Sequence, residues 1–127
     1  MKNIHNQGSF LLIFFLFTAC QSQPYKQGET LYRVHCENCH MEDGSGLVEL
    51  IPSLGSSVML KSDPETLICL IRNGIPMNPS TGQEMPGNKL LNEVELANLS
   101  NYLRTIHSGD MKAITVSDVT HWLKTCE

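Results

Sequence analysis

Aromatic side chains are scarce in this sequence, at 6% of 127 residues with a single Trp, so a core assembled only from its own side chains would be thin. The chain also lacks an apolar run long enough to cross a bilayer. Its unbroken stretch from Phe10 to Phe17 has eight residues, where a spanning helix needs about 20. Basic residues are not in excess: 9 Lys and Arg stand against 13 Asp and Glu, and this balance disfavours nucleic acid as a partner. After the first twenty residues there is no internal repeat and no low-complexity tract, and the length suits one domain.

What is present begins with an export signal. Lys2 is followed by a short polar stretch, the apolar run, and then Thr18-Ala19-Cys20, which together predict a signal peptide over 1–19. Leu16-Phe17-Thr18-Ala19-Cys20 resembles a bacterial lipobox, although Phe17 stands where Leu is usual, so Cys20 is the expected lipidation site; an ordinary cleaved signal is the alternative. Residues 20–26 would then form a tether reaching roughly 20 Å from the membrane at ~3.5 Å per residue. The expected location is the periplasmic side, as a membrane-anchored lipoprotein. Losing Lys2 with the signal leaves 8 basic and 13 acidic residues, a mature charge of −5.

Breaks at Gly44 and Gly46, at Asn73-Gly74 and at Ser108-Gly109 separate segments of helical rather than alternating periodicity, which predicts an all-α domain over 27–109 with an extension over 110–127. A first helix is expected from about Gly28-Glu29 through Leu31 and Tyr32 into the cysteine motif, ending in the loop 41–46. A second should start at Asp63, a capping residue followed by Pro64, and stop near Asn73. A third should start at Asn92, with Glu95 completing a capping box, and place Leu96, Leu99, Leu103 and Ile106 on one stripe before Gly109. The stretch 73–91 holds Pro76, Pro79, Pro86, Gly82 and Gly87, which excludes a regular helix or central strand; a loop of that length usually has a function.

The chemistry lies in Cys36-Glu37-Asn38-Cys39-His40. Thiols at i and i+3 share one side of a helical turn, so both can add to the vinyl groups along one haem edge while the next imidazole meets the iron. A zinc site would need a fourth ligand, and no second CxxC or HxxxH supplies one. A thioredoxin-like dithiol would need a strand ahead of Cys36, and none is expected there. One covalent haem c is therefore the expected cofactor, and a buried porphyrin would supply the apolar centre that the aromatic-poor chain lacks.

Gly28, Tyr32, the Cys36-Cys39-His40 motif, Gly44, Gly46, Pro52 with Leu54, the Met85-Pro86-Gly87 turn and Tyr102 occur in an order that resembles a class I c-type cytochrome over about residues 25–107. The resemblance implies a cytochrome c-like fold of three or four helices around one haem. It implies His40 and Met85 as the two metal ligands, the Pro52 carbonyl accepting the His40 N–H, and Tyr32, Leu99 and Tyr102 at the crossing of the first and last helices. Pro86 biases Met85 toward an extended backbone. Met77 is the rival thioether. His107 and His121, in polar surroundings, read as surface imidazoles, and His35 lies too near the motif to reach across the iron.

Setting aside Cys20, Cys36 and Cys39, two of the five cysteines remain, Cys69 and Cys126, in a disulfide-permissive compartment. On the second helix Cys69 points away from the Leu67, Ile68, Leu70 and Ile71 arc. That orientation suggests a bond to a tail that folds back and packs Trp122 and Leu123 on the domain; free thiols or crosslinks to a partner are the alternative.

With both iron faces occupied no substrate could bind, which predicts a single-electron carrier working between redox protein partners, without a small-molecule substrate and not an enzyme. The alternatives are a haem enzyme or gas sensor with an open distal position, and a fixed haem subunit of a larger redox complex. Glu84 is the lone acid and no histidine lies in 73–91, so that loop offers no acid–base pair.

Overall fold

The computed structural model describes residues 25–48, 50–109 and 112–126. The signal segment, Cys20 and the tether as far as Pro24 lie outside the described residues.

Helix α1, Lys26–His35, begins two residues ahead of the expected Gly28 and is interrupted at Cys36. Helix α2, Glu37–His40, is the motif itself, and its helical turn is preserved because the His40 N–H donates to the Cys36 carbonyl at 2.9 Å. A loop with Gly44 and Gly46 at positive φ leads to a 3₁₀ turn at Leu54–Ser56 and then to α3, Val58–Ser62. Five residues are too few to show a periodicity, and α3 was not legible in the sequence.

Helix α4, Pro64–Asn73, starts where Asp63 accepts the Thr66 N–H at 3.0 Å. Helix α5, Glu93–Ser108, is closed at its start by the reciprocal Asn92 and Glu95 bonds, 3.0 and 2.9 Å. Helix α6, Val116–Trp122, repeats the device with Thr115 and Asp118. Between α4 and α5 the Pro- and Gly-rich stretch forms a two-residue antiparallel ribbon, β1 Gly74–Ile75 with β2 Met85–Pro86, pairing Gly74 with Pro86 and Ile75 with Met85. Among the described residues the fold is thus all-α apart from this ribbon and an isolated bridge between Leu47 and Ile51. Its helices among the described residues number six rather than three or four, because the first expected helix splits at Cys36 and both α3 and α6 are additional.

The frame is the crossing of α1 and α5. A Cβ on Gly28 would overlap the Asn98 carbonyl and come within 2.5 Å of Tyr102 Cβ, so only Gly permits this approach. The Tyr32 and Tyr102 rings meet there, with centroids 5.8 Å apart. Leu96, Leu99 and Leu103 of α5 pack inward with Ile68 and Ile71 of α4, but Ile106 is 47% exposed, so the buried stripe ends one turn earlier than its spacing suggested.

The extension is no appendage. Ile114 and Val119 are buried in the same core, and Trp122 and Leu123 pack against it. Asn101 exchanges two hydrogen bonds with the Ile114 backbone, 2.9 and 2.8 Å. The buried Arg104 guanidinium donates to the carbonyls of Leu60 and Lys112, 3.2 and 3.1 Å. A disulfide joins Cys69 to Cys126 with a Cα–Cα distance of 5.2 Å. Packing therefore does not divide the molecule at residue 109. Among the described residues no helix is long and apolar enough to cross a membrane.

Candidate cofactor site

The helices and the loop between α4 and α5 line a half-open cavity of about 370 Å³, bordered by Cys36 and His40 from the motif and by Met85 and Pro86 from β2. Its walls are aliphatic: Leu67, Leu70 and Ile71 from α4, and Leu99 and Leu103 from α5. Pro52, Ser53 and Leu54 border it from the loop after the motif.

His40 is braced from several directions. Its carbonyl accepts the Gly46 N–H at 3.1 Å, and the next carbonyl, that of Met41, accepts the Tyr32 hydroxyl at 2.5 Å and the Gly44 N–H at 3.2 Å. Burial pushes the His40 pKa down, which favours the neutral imidazole with a free lone pair, the form that ligates a metal. Its Nδ1 is buried without a hydrogen-bond partner. Cys36 is half-buried and Cys39 exposed. Burial, and secondarily the Cys39 sulfur, push the Cys36 thiol up to about 11, so it stays protonated at neutral pH.

The hydrogen bond from His40 to the Pro52 carbonyl, implied by the family resemblance, is not formed. Pro52 does line the cavity, but its carbonyl lies against Gly46, where a Cβ would come within 2.9 Å of it. Met85 lines the cavity, whereas Met77 is 62% exposed and does not. A further thioether, Met59 on α3, also lines it. That position was invisible in the sequence because α3 itself was.

Among the histidines one falls differently from expectation, and it is not His35, which only borders the cavity. His107 is not a solvated imidazole: its ring packs on Gly44, its Nε2 is buried without a partner, and burial lowers its pKa while Asp43 works the other way. It is not among the cavity residues, and His121 is exposed.

An apolar chamber lined by the His40 imidazole, the Met85 and Met59 thioethers and the motif thiol Cys36 fits a flat apolar group with a soft-to-intermediate metal at its centre. A family model described as "Cytochrome C oxidase, cbb3-type, subunit III" matches residues 23–103. The chain belongs to this family of c-type cytochromes.

Three relatives carry the description "Alcohol dehydrogenase (quinone), cytochrome c subunit". This cytochrome is 31% identical over 100 residues to those of Gluconacetobacter polyoxogenes and Komagataeibacter europaeus, covering 73% of this chain and 21% of each relative. It is 32% identical over 83 residues to that of Gluconobacter oxydans (strain 621H), covering 61% of this chain and 17% of the relative. The cytochrome thus spans about a fifth of the length of these relatives. Its fold is the helical one of c-type cytochromes, its cofactor is haem, and it is an electron-transfer component rather than itself an enzyme.

Proposed function

We propose that this cytochrome relays single electrons through one haem c, bonded covalently to Cys36 and Cys39 and ligated by His40 and Met85. The observation that carries the reading is one apolar cavity shared by the motif residues Cys36 and His40 and by Met85. The bound haem would supply the ferric/ferrous couple. The chain would do the rest: His40 stays neutral and fixed through the Gly46 and Met41 contacts, and the soft Met85 sulfur favours the reduced metal and so raises the potential. The aliphatic walls would shield the bound haem, and with His40 and Met85 both serving as ligands no substrate would bind the metal.

The mature protein would sit on the periplasmic side, anchored through lipidated Cys20. It would exchange electrons with a donor and an acceptor protein in a dehydrogenase-linked respiratory chain. The quinone alcohol dehydrogenase subunits among its relatives support that setting. An acidic mature charge favours partners with basic docking patches, so electron-transfer rates in stopped flow should fall as salt is added.

Optical spectra of the haem-loaded protein test the ligand assignment. A low-spin ferric spectrum with a near-infrared sulfur-to-iron band that disappears in Met85→Ala and survives in Met59→Ala is expected. Survival of the band in Met85→Ala with loss in Met59→Ala would move the ligand to α3. A high-spin spectrum that shifts on adding carbon monoxide would replace the carrier with an enzyme or gas sensor. Haem that remains with the denatured polypeptide establishes covalent attachment, and its extraction into acidic organic solvent refutes it. Release of a Cys20→Ser variant from the membrane fraction tests the anchor.

A further inference from the structure

Met85 stands on a loop that has no core of its own. No residue from Arg72 to Leu90 is fully buried, and positions 76–82 are all exposed, so side-chain packing cannot fix where the ribbon sits. Polar bonds from the end of α4 do so instead. The Arg72 guanidinium donates through one nitrogen to the Lys89 carbonyl at 3.0 Å and through the other to the Leu91 carbonyl at 2.8 Å. Beside it the Asn88 N–H donates to the Ile71 carbonyl at 2.8 Å, and the Asn88 side chain accepts the Leu90 and Leu91 N–H groups at 3.0 and 3.3 Å.

These bonds grip the limb that follows Met85 by three to six residues and ends at Leu91, a buried cavity residue. The limb that precedes Met85 joins the ribbon through the short β1–β2 pairing, and within it the Asn78 N–H donates to the Gln83 carbonyl at 2.8 Å. A planar fork spanning two carbonyls of one limb, two residues apart, is a geometry that Arg supplies and the single ammonium of Lys does not.

We infer that Arg72 is a positioning residue for the distal ligand: its fork pins the returning limb of the Met85 loop to α4 and so keeps the thioether facing His40 across the cavity. The inference rests on Met85 being the distal ligand. Arg72 touches neither the cavity nor the reacting atoms; it sets how often the loop swings out.

Imidazole competition reads that opening directly, because an outside ligand reaches the ferric iron only when the Met85 thioether has left, and its apparent affinity scales with the open fraction. Haem-loaded ferric protein is titrated with imidazole while the near-infrared band is followed. Arg72→Gln removes the fork, and loss of two charge-assisted hydrogen bonds predicts apparent imidazole binding at least about tenfold tighter. Arg72→Lys, the milder change that keeps the charge, should give a smaller increase and serves if Arg72→Gln takes up no haem. Asn101→Ala, which loosens the tail far from the loop, should lower the melting temperature without moving the imidazole midpoint.

Unchanged midpoints in both Arg72 variants, or an equal shift in Asn101→Ala, would overturn the inference. Failure of the premise has its own signature: a band that survives Met85→Ala refutes the ligand assignment whatever the Arg72 variants do.

Discussion

The Tyr32 hydroxyl donates to the carbonyl of Met41 at 2.5 Å, tying the middle of the first helix to the residue that directly follows His40. Tyr32 is 1% exposed, so this bond is made inside the protein, where an unsatisfied partner is expensive.

Tyr32→Phe should cost about 1–3 kcal/mol at neutral pH by leaving the carbonyl without its donor. The same burial, followed by the nearby Cys36 thiol, pushes the Tyr32 phenol up to about 12. The ordinary value is 10.0, so between the two the unfolded chain releases a proton that the folded chain retains. Stability from this group is therefore complete below about pH 10 and is lost as pH rises toward about 12. Urea melts across that window should show a steep alkaline decline in the wild type and a shallower one in Tyr32→Phe. Parallel declines would assign the effect to other groups.

Met41 has φ 64° and ψ 164°, a backbone region that belongs almost entirely to Gly and costs a side-chain-bearing residue about 1–3 kcal/mol. After the entropic penalty of a glycine, roughly 0.5–1 kcal/mol, Met41→Gly should raise stability by about 1 kcal/mol. The urea midpoint measures it; a lower midpoint would mean that the half-buried Met41 side chain contributes more than the strain removes.

Gly28→Ala should destabilise by at least about 1–3 kcal/mol, because the added methyl meets the Asn98 main-chain carbonyl, which cannot rotate aside as a side chain would. Calorimetry of the haem-loaded variant gives the answer. An unchanged melting temperature would show that α1 and α5 can separate freely.

Breaking the disulfide should cost about 4 kcal/mol in the chain-entropy account, given the 57-residue separation of Cys69 and Cys126. Cys69→Ser and Cys126→Ser should lose the same amount, and the double variant no more than either alone. Additive losses in denaturant melts would show that each side chain stabilises by its own packing rather than through the bond.

The features legible in the sequence are those whose cause lies within one turn of chain. Asp63 with Pro64 and Asn92 with Glu95 announce helix starts because a capping side chain reaches N–H groups only two or three residues ahead. The Cys36-Cys39-His40 spacing announces its chemistry for the same reason: a helical turn alone gathers the three side chains. From these the sequence determined a helical domain, its three longest helices and its membership among the c-type cytochromes.

The remainder depends on contacts between residues far apart in the chain, which no local pattern encodes. That Met59 reaches the cavity and Met77 does not, that the Pro52 carbonyl rests on Gly46 rather than on His40, and that His107 covers Gly44 were decided only when the helices packed. So were the exposure of Ile106, which has the right spacing but no neighbour to cover it, and the entry of Ile114 and Val119 into the core. The physical reason is burial: periodicity says which side chains share a face, whereas tertiary structure alone says what that face meets.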